Sequence, residues 1–332
     1  MHKGRAVAAF ITLAGFAMPA WSQSLLVVNQ GNATVSIIDG NSLAVTGQIE
    51  QRLPDKNRAH EVAITPDGKT AYLPVYGNSG VGRPGSDGHE MLIADLVSRS
   101  ITGTVDFGRG VRPHFPVFDR KSGLVYVTTE LANSVAIVDP KTRTVVGSIP
   151  TGAEQSHMLV LSRDGRLGYT ANVGPGSVSV LDMVARKTLA VIPLATGLQR
   201  IAISVDDRLV FTSDIELPRM AVIDTKTRTL KQWVELPGRG YGAAATRDGR
   251  WLFIIIRGPD AVAVVDLKTM QVAQTIPVGN LPQAIVIQPD QKRAYVSCAG
   301  DGTVAVIDLA ERRVIRTIAT ARGADGLAWA GH

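Results

Sequence analysis

The chain has a single cysteine in 332 residues, Cys298, so no intramolecular disulfide can brace it. Burial alone must hold the fold, and a chain this long can bury enough. No Cys-x-x-Cys-His occurs, which excludes covalently attached c-type haem. The Gly-rich stretch at 80–88 lacks the strand-to-helix context of a phosphate loop and reads as an ordinary loop. Long runs of Lys or Arg are missing. The formal charge of +6 falls to +4 without Lys3 and Arg5 (6 − 2), which makes no argument for nucleic acid. Beyond the first residues, no apolar stretch approaches the ~20 residues needed to span a bilayer.

Those first residues stand apart. Lys3 and Arg5 precede an apolar stretch at 6–18, and Ala20-Trp21-Ser22 places small residues at the −3 and −1 positions of a cleavage site before Gln23. Residues 1–22 therefore read as a secretory signal peptide. The mature chain, 23–332, is expected to be periplasmic or secreted and to form one domain.

What the mature chain does contain is a repeat. A short β-rich run ending in Asp occurs seven times: VSIID (35–39), MLIAD (91–95), VAIVD (135–139), VSVLD (178–182), MAVID (220–224), VAVVD (262–266) and VAVID (304–308). The last three intervals are all 42 residues. A second run precedes it in each unit, as in VYVTT (125–129) and AYVSC (294–298), after turns such as PDGK (66–69) and RDGR (163–166). Asp-Gly suits such turns because Gly accepts positive φ. A fixed period of about 42 with short β runs signals radial repetition. The expected fold is all-β: a seven-bladed propeller of four-stranded antiparallel blades. The mature chain begins on a second strand and ends on a first strand (326–329), so the C-terminal strand should complete the N-terminal blade. The Asp that ends each third strand reads as a cap on the following turn.

Counting back to the residue before each first strand yields a ring of equivalents: His60, His114, His157, Gln199, Tyr241, Gln283 and Asp325. Such positions converge on a channel mouth. From ring residue to third-strand Asp the count is 25 in five units but 35 from His60 to Asp95, and the excess lies in the loop at 76–90. The connections leading to the three histidines are also the longest. Elaboration thus gathers over His60, His114 and His157, and long loops on a rigid scaffold are where function sits. Asn29, Glu130, Asn172, Asp214 and Arg257, near the ends of second strands, are expected to form an outer shell, with His89 and Glu90 at the end of the long loop.

The motifs HEVAITPDGKTAYLPV (60–75), LPQAIVIQPDQKRAYVSC (281–298) and GTVAVID (302–308) resemble the YVTN-type β-propeller repeats, across essentially all of the mature chain. The resemblance implies the fold and leaves function open. Residues 112–140, RPHFPVFDRKSGLVYVTTELANSVAIVDP, look like a blade of streptogramin-lyase-type propellers. On that likeness Pro113-His114 and Thr129-Glu130 match positions that supply catalytic and metal-associated residues, without the usual aromatic pair. Lactonase-type propellers use His, Arg and Glu at the mouth, for which Arg112, Arg200 and Arg257 are candidates. The chain is also similar to propeller domains that hold d1-type haem, where His114 and His157 would contact the iron or its ligand.

Three chemistries stay open. His60, His114 and His157 form a candidate metal set, since imidazole suits Zn, Cu, Fe or Ni. His114, Glu130 and His157 form a candidate acid–base set. The whole ring, with Tyr241 and Asp325, is a candidate pocket for a small ligand or a non-covalent d1-type haem. The expected partner is a small molecule, or a protein on the loop-rich face, and not nucleic acid. Basic turns on the opposite face (141–143, 226–228, 312–313) read as solvated turns. Cys298 reads as a buried structural thiol, and Trp233, Trp251 and Trp329 as packing residues.

Overall fold

The computed structural model describes residues 23–54, 57–81 and 83–330. The signal-peptide reading at 1–22 lies outside the described residues. Seven antiparallel sheets follow one another along the chain. The innermost strand of each touches the innermost strand of the next, which closes them into a ring around a channel. The protein is a seven-bladed β-propeller, four strands to a blade. Apart from Gln23, the helical residues among those described form two short 3₁₀ turns, Gln30–Asn32 and Glu130–Ala132, and no helix among them is long and apolar enough to cross a membrane.

The repeat translates directly into blade parts. The third-strand Asp caps its turn: Asp182 accepts from the backbone N–H of Val184 and Ala185, and Asp308 from Ala310 and Glu311. Asp-Gly turns hold Gly165 and Gly249 at φ near +70°. Second strands place an aromatic ring at one repeated position between blades: Tyr72, Tyr126, Tyr169, Phe211, Phe253 and Tyr295, all buried. The core is therefore not central. It lies in the clefts between blades, as where Phe253 and Ile255 of one blade pack with Val296 and Ile307 of the next.

The chain ends meet in one blade. Ala324–Trp329 pairs antiparallel with Ser24–Asn29, setting Leu25 opposite Trp329 and Val27 opposite Leu327. Trp329 packs edge-on against Tyr295 of the preceding blade, ring centroids 5.1 Å apart. This closure leaves no unpaired inner edge. Trp329→Ala is expected to cost roughly 3–5 kcal/mol, and removal of 323–332 more. In urea titrations both should lower the whole cooperative transition. A separate early transition confined to one blade would show that the closure is only local.

Candidate functional site

In six blades the pairing of the innermost with the second strand slips at one equivalent place. The slips fall between Pro113 and Pro116, Ser156 and Met158, Leu198 and Ile201, Gly240 and Ala243, Pro282 and Ile285, and Ala324 and Leu327. In the remaining blade the strand breaks outright, Arg58–Ala59 then Ala63–Ile64. Each irregularity holds the ring residue. A bulge bends its strand and re-aims one side chain, and here it turns seven side chains inward. His60, His114, His157, Gln199, Tyr241, Gln283 and Asp325 all line one cavity of about 320 Å³.

The three histidines meet on one side of that cavity. The His114 and His157 rings are stacked, centroids 3.7 Å apart and planes 23° from parallel. His60 lies 5.6 Å from His114. The Nδ1–H of His114 donates to the His157 carbonyl at 3.2 Å, which leaves Nε2 as the imine nitrogen. The Nδ1–H of His157 donates to Glu130 Oε2 at 3.2 Å, and Gln199 donates to its Nε2 at 3.3 Å. Tyr76 donates to the same Glu130 oxygen at 2.7 Å. Arg112 sits 3.6 Å from the other Glu130 oxygen. It also clasps the long loop, pairing with Asp87 at 2.6 Å and donating to the carbonyls of Gly80 and Arg83. Opposite, Arg200 pairs with Glu61 at 2.5 Å and Asp325 at 3.3 Å. Gln30 donates to Asp325 and lies 3.1 Å from His60 Nδ1.

The expected outer shell needs correction. Asn29 and Asn172 are fully buried within their own blades, on Thr34 and Ser36 and on Ser156, Ser177 and Ser179 respectively. Asp214 is spent on Arg219 and on the backbone of its own turn. The reason is alternation: one residue along a strand switches faces. These three end their second strands, whereas Glu130 and Arg257 stand one position later in the repeat. Shifting every unit by that one residue produces a second ring: Gln30, Tyr76, Glu130, Val173, Ile215, Arg257 and Ala299. Its polar members brace the first ring. Tyr76 and Gln30 were thus absent from the expected set for want of register, and Glu61 stood unremarked beside His60. His89 is exposed and pairs with Asp106 at 3.1 Å, away from the cavity. Cys298 is buried, its thiol pushed up to about 11 by burial.

Burial dominates the electrostatics. It holds His114 well below its ordinary pKa, helped by the neighbouring His157 and His60. It lowers His60 to about 4, against the pull of Asp325. It raises Glu61 to about 7 in spite of Arg200. Burial also works against ionised Glu130, but the hydrogen bonds from His157 and Tyr76 and the charge of Arg112 keep it below the usual carboxylate range. The site thus holds the neutral imidazole of His114 one ring away from a carboxylate kept ionised.

Among the described residues, no three His, Cys, Asp or Glu side chains are placed to hold a metal ion. The stack shows why for His114 and His157: lone pairs of near-parallel rings run side by side and do not converge on one ion.

The family profile described as the cytochrome D1 heme domain matches residues 120–250. No curated protein matches the chain in sequence. Among solved structures, hydrazine synthase of Kuenenia stuttgartiensis is 19% identical with a TM-score of 0.74, covering 91% of this chain and 99% of that one. The periplasmic gluconolactonase PpgL of Pseudomonas aeruginosa is 18% identical, TM-score 0.72, covering 92% and 98%. The dihydro-heme d1 dehydrogenase NirN in complex with DHE is 15% identical, TM-score 0.68, covering 94% and 76%. At such identities the likeness is one of fold.

The residues as arranged do not fit a d1-type haem. The cavity of about 320 Å³ is at the small end for ligand pockets, and the loop backbone at Gly80 and Val81, fastened by Arg112, forms part of its wall. A macrocycle over the histidines would have to displace that loop.

The depressed His60 pKa makes stability pH-dependent. The folded chain favours neutral His60, so its contribution is complete above the ordinary 6.5 and is lost as pH falls toward about 4. Glu61 runs the other way: its contribution is complete below 4.5 and is lost as pH rises through about 7. His60→Gln is expected to remove on the order of 1–2 kcal/mol of the stability that the wild type loses between neutral pH and pH ~5, read from urea titrations. Parallel wild-type and variant curves would contradict a partly buried His60 held neutral.

Proposed function

We propose that the channel mouth binds a small polar molecule and that the chain does so outside the cytoplasm. The observation that carries the binding reading is the convergence of all seven ring positions on one cavity, where the imine nitrogen of His114 has no hydrogen-bond partner among the described residues. A scaffold gains no stability from burying an imidazole with an unmade hydrogen bond there, whereas a pocket uses a few convergent polar groups among closely fitted walls. The apolar stretch at 6–18 supports export, as does the likeness to the periplasmic gluconolactonase PpgL.

A specific contact also favours acid–base catalysis as a second reading. Glu130 orients His157 through Nδ1, the arrangement in which a carboxylate fixes the tautomer of a general base. In a lactone hydrolysis, an imidazole Nε2 would take a proton from water as the water oxygen bonds to the carbonyl carbon. The ring C–O bond then breaks, and the imidazolium returns the proton to the departing alkoxide. The name of the Pseudomonas aeruginosa relative makes glucono-δ-lactone the first substrate to try.

For binding, a panel of small acids, sugars and lactones screened by thermal shift is expected to include stabilisers of the wild type whose effect falls at least about tenfold in affinity in His114→Gln. A binder insensitive to both His114→Gln and His157→Gln would place the site elsewhere. For catalysis, Glu130→Gln is expected to lower lactone turnover by about 10²-fold or more with the melting transition retained. Unchanged turnover would end the catalytic reading.

A further inference from the structure

We infer that the end of the channel opposite the histidines binds the alkyl chain of a free fatty acid. This site is separate from the mouth and does not depend on the reading given for it. Beyond the ring positions the channel changes character. The four residues that follow each ring position carry no charge except at Glu61 and Arg200, and the others are apolar, Gly or Pro. Glu61 and Arg200 come from blades three places apart, the greatest separation a ring of seven allows, and meet across the channel at 2.5 Å. Arg200 lines both the mouth and a chamber of about 90 Å³ beyond it. The ion pair is thus the floor of the polar mouth and the ceiling of what lies below.

What lies below is apolar and reached by solvent. Phe115 stands in the walls of both the small chamber and a groove of about 520 Å³ at the far end. Val117, Val160, Leu161 and Ile203 also line that groove, and each keeps part of its surface exposed. A concave recess of such side chains left in water suits an apolar ligand. The rim supplies the other half of the recognition. Arg120 and Lys121 are exposed at its edge and enter no ion pair among the described residues. Asp119 beside them is spent on its own turn, accepting from the backbone N–H groups of Lys121 and Ser122 and from the Ser122 hydroxyl. Arg163, also at the rim, has Asp207 at 3.8 Å. Cations beside an apolar recess match one anionic head on one apolar tail. The tail then runs along Phe115 toward the Glu61–Arg200 pair, where the apolar path ends.

Calorimetry on the mature chain with hexanoate, octanoate and decanoate, each below its micellar concentration and at low salt, tests this. Each added methylene is expected to tighten binding about fourfold. The corresponding alcohols are expected to bind more weakly than the acids. The double variant Arg120→Gln/Lys121→Gln should remove that difference and keep the dependence on chain length. Ile203→Glu, which sets a charge on the groove wall at a partly exposed position, should abolish binding of acids and alcohols alike. If Ile203→Glu fails to fold, the rim variant and the alcohols carry the comparison. Absence of binding by every acid, affinity without dependence on chain length, equal affinity of acids and alcohols, or binding unchanged in both variants overturns the inference. So does attachment to phosphatidylglycerol vesicles without uptake of free acid, or a dimer in sedimentation that the acids neither bind nor dissociate, since each assigns the groove another occupant. None of these outcomes bears on the mouth.

Discussion

The pairing of Ala324–Trp329 with Ser24–Asn29 is the contact on which the rest of this structure depends. A single four-stranded sheet has two apolar faces and cannot cover either alone, so each blade needs a neighbour on both sides. Only closure provides that for all seven. The same strand carries Asp325 into the mouth, where it meets Arg200 and Gln30. Ring closure and site assembly are therefore one event: the strand that closes the ring also completes the wall of the cavity.

Within that ring the inner-strand bulges do the positioning. A regular strand would alternate its side chains between the two blade faces and leave none aimed along the channel. The slip in pairing gives one residue per blade a third direction. Side chains one register step further out then brace those residues, as Glu130 braces His157 and Tyr76 braces Glu130. The result is a polar cavity whose groups are fixed from behind, with His114 kept neutral and Glu130 kept ionised. The clasp of Arg112 on the loop extends the same network to the rim.

Fold and site were legible to different depths. The 42-residue interval, the Asp that ends each third strand and the Asp-Gly turns are local signals, and a repeated local signal reinforces itself. Even the ring of seven could be counted, because equal spacing from a recognisable strand is equal position in a propeller. The expectation for Asn29, Asn172 and Asp214 failed by a single residue. In a strand that error exchanges a blade interior for a channel mouth, and nothing in the composition of those residues distinguishes the two. Glu61 and Tyr76 were hidden for another reason: their partners, Arg200 and Glu130, lie more than fifty residues away, in other blades.

What the amino-acid order determined by itself is the blade and the number of blades, since strand period, turn chemistry and capping act between residues a few positions apart. The tertiary structure alone decided which polar groups face one another across the mouth. It stacked His114 on His157, paired Arg200 with two carboxylates and laid Arg257 on the Tyr241 ring. Charge, desolvation and tautomer depend on distances of a few ångströms between blades, and those distances exist only after the ring has closed.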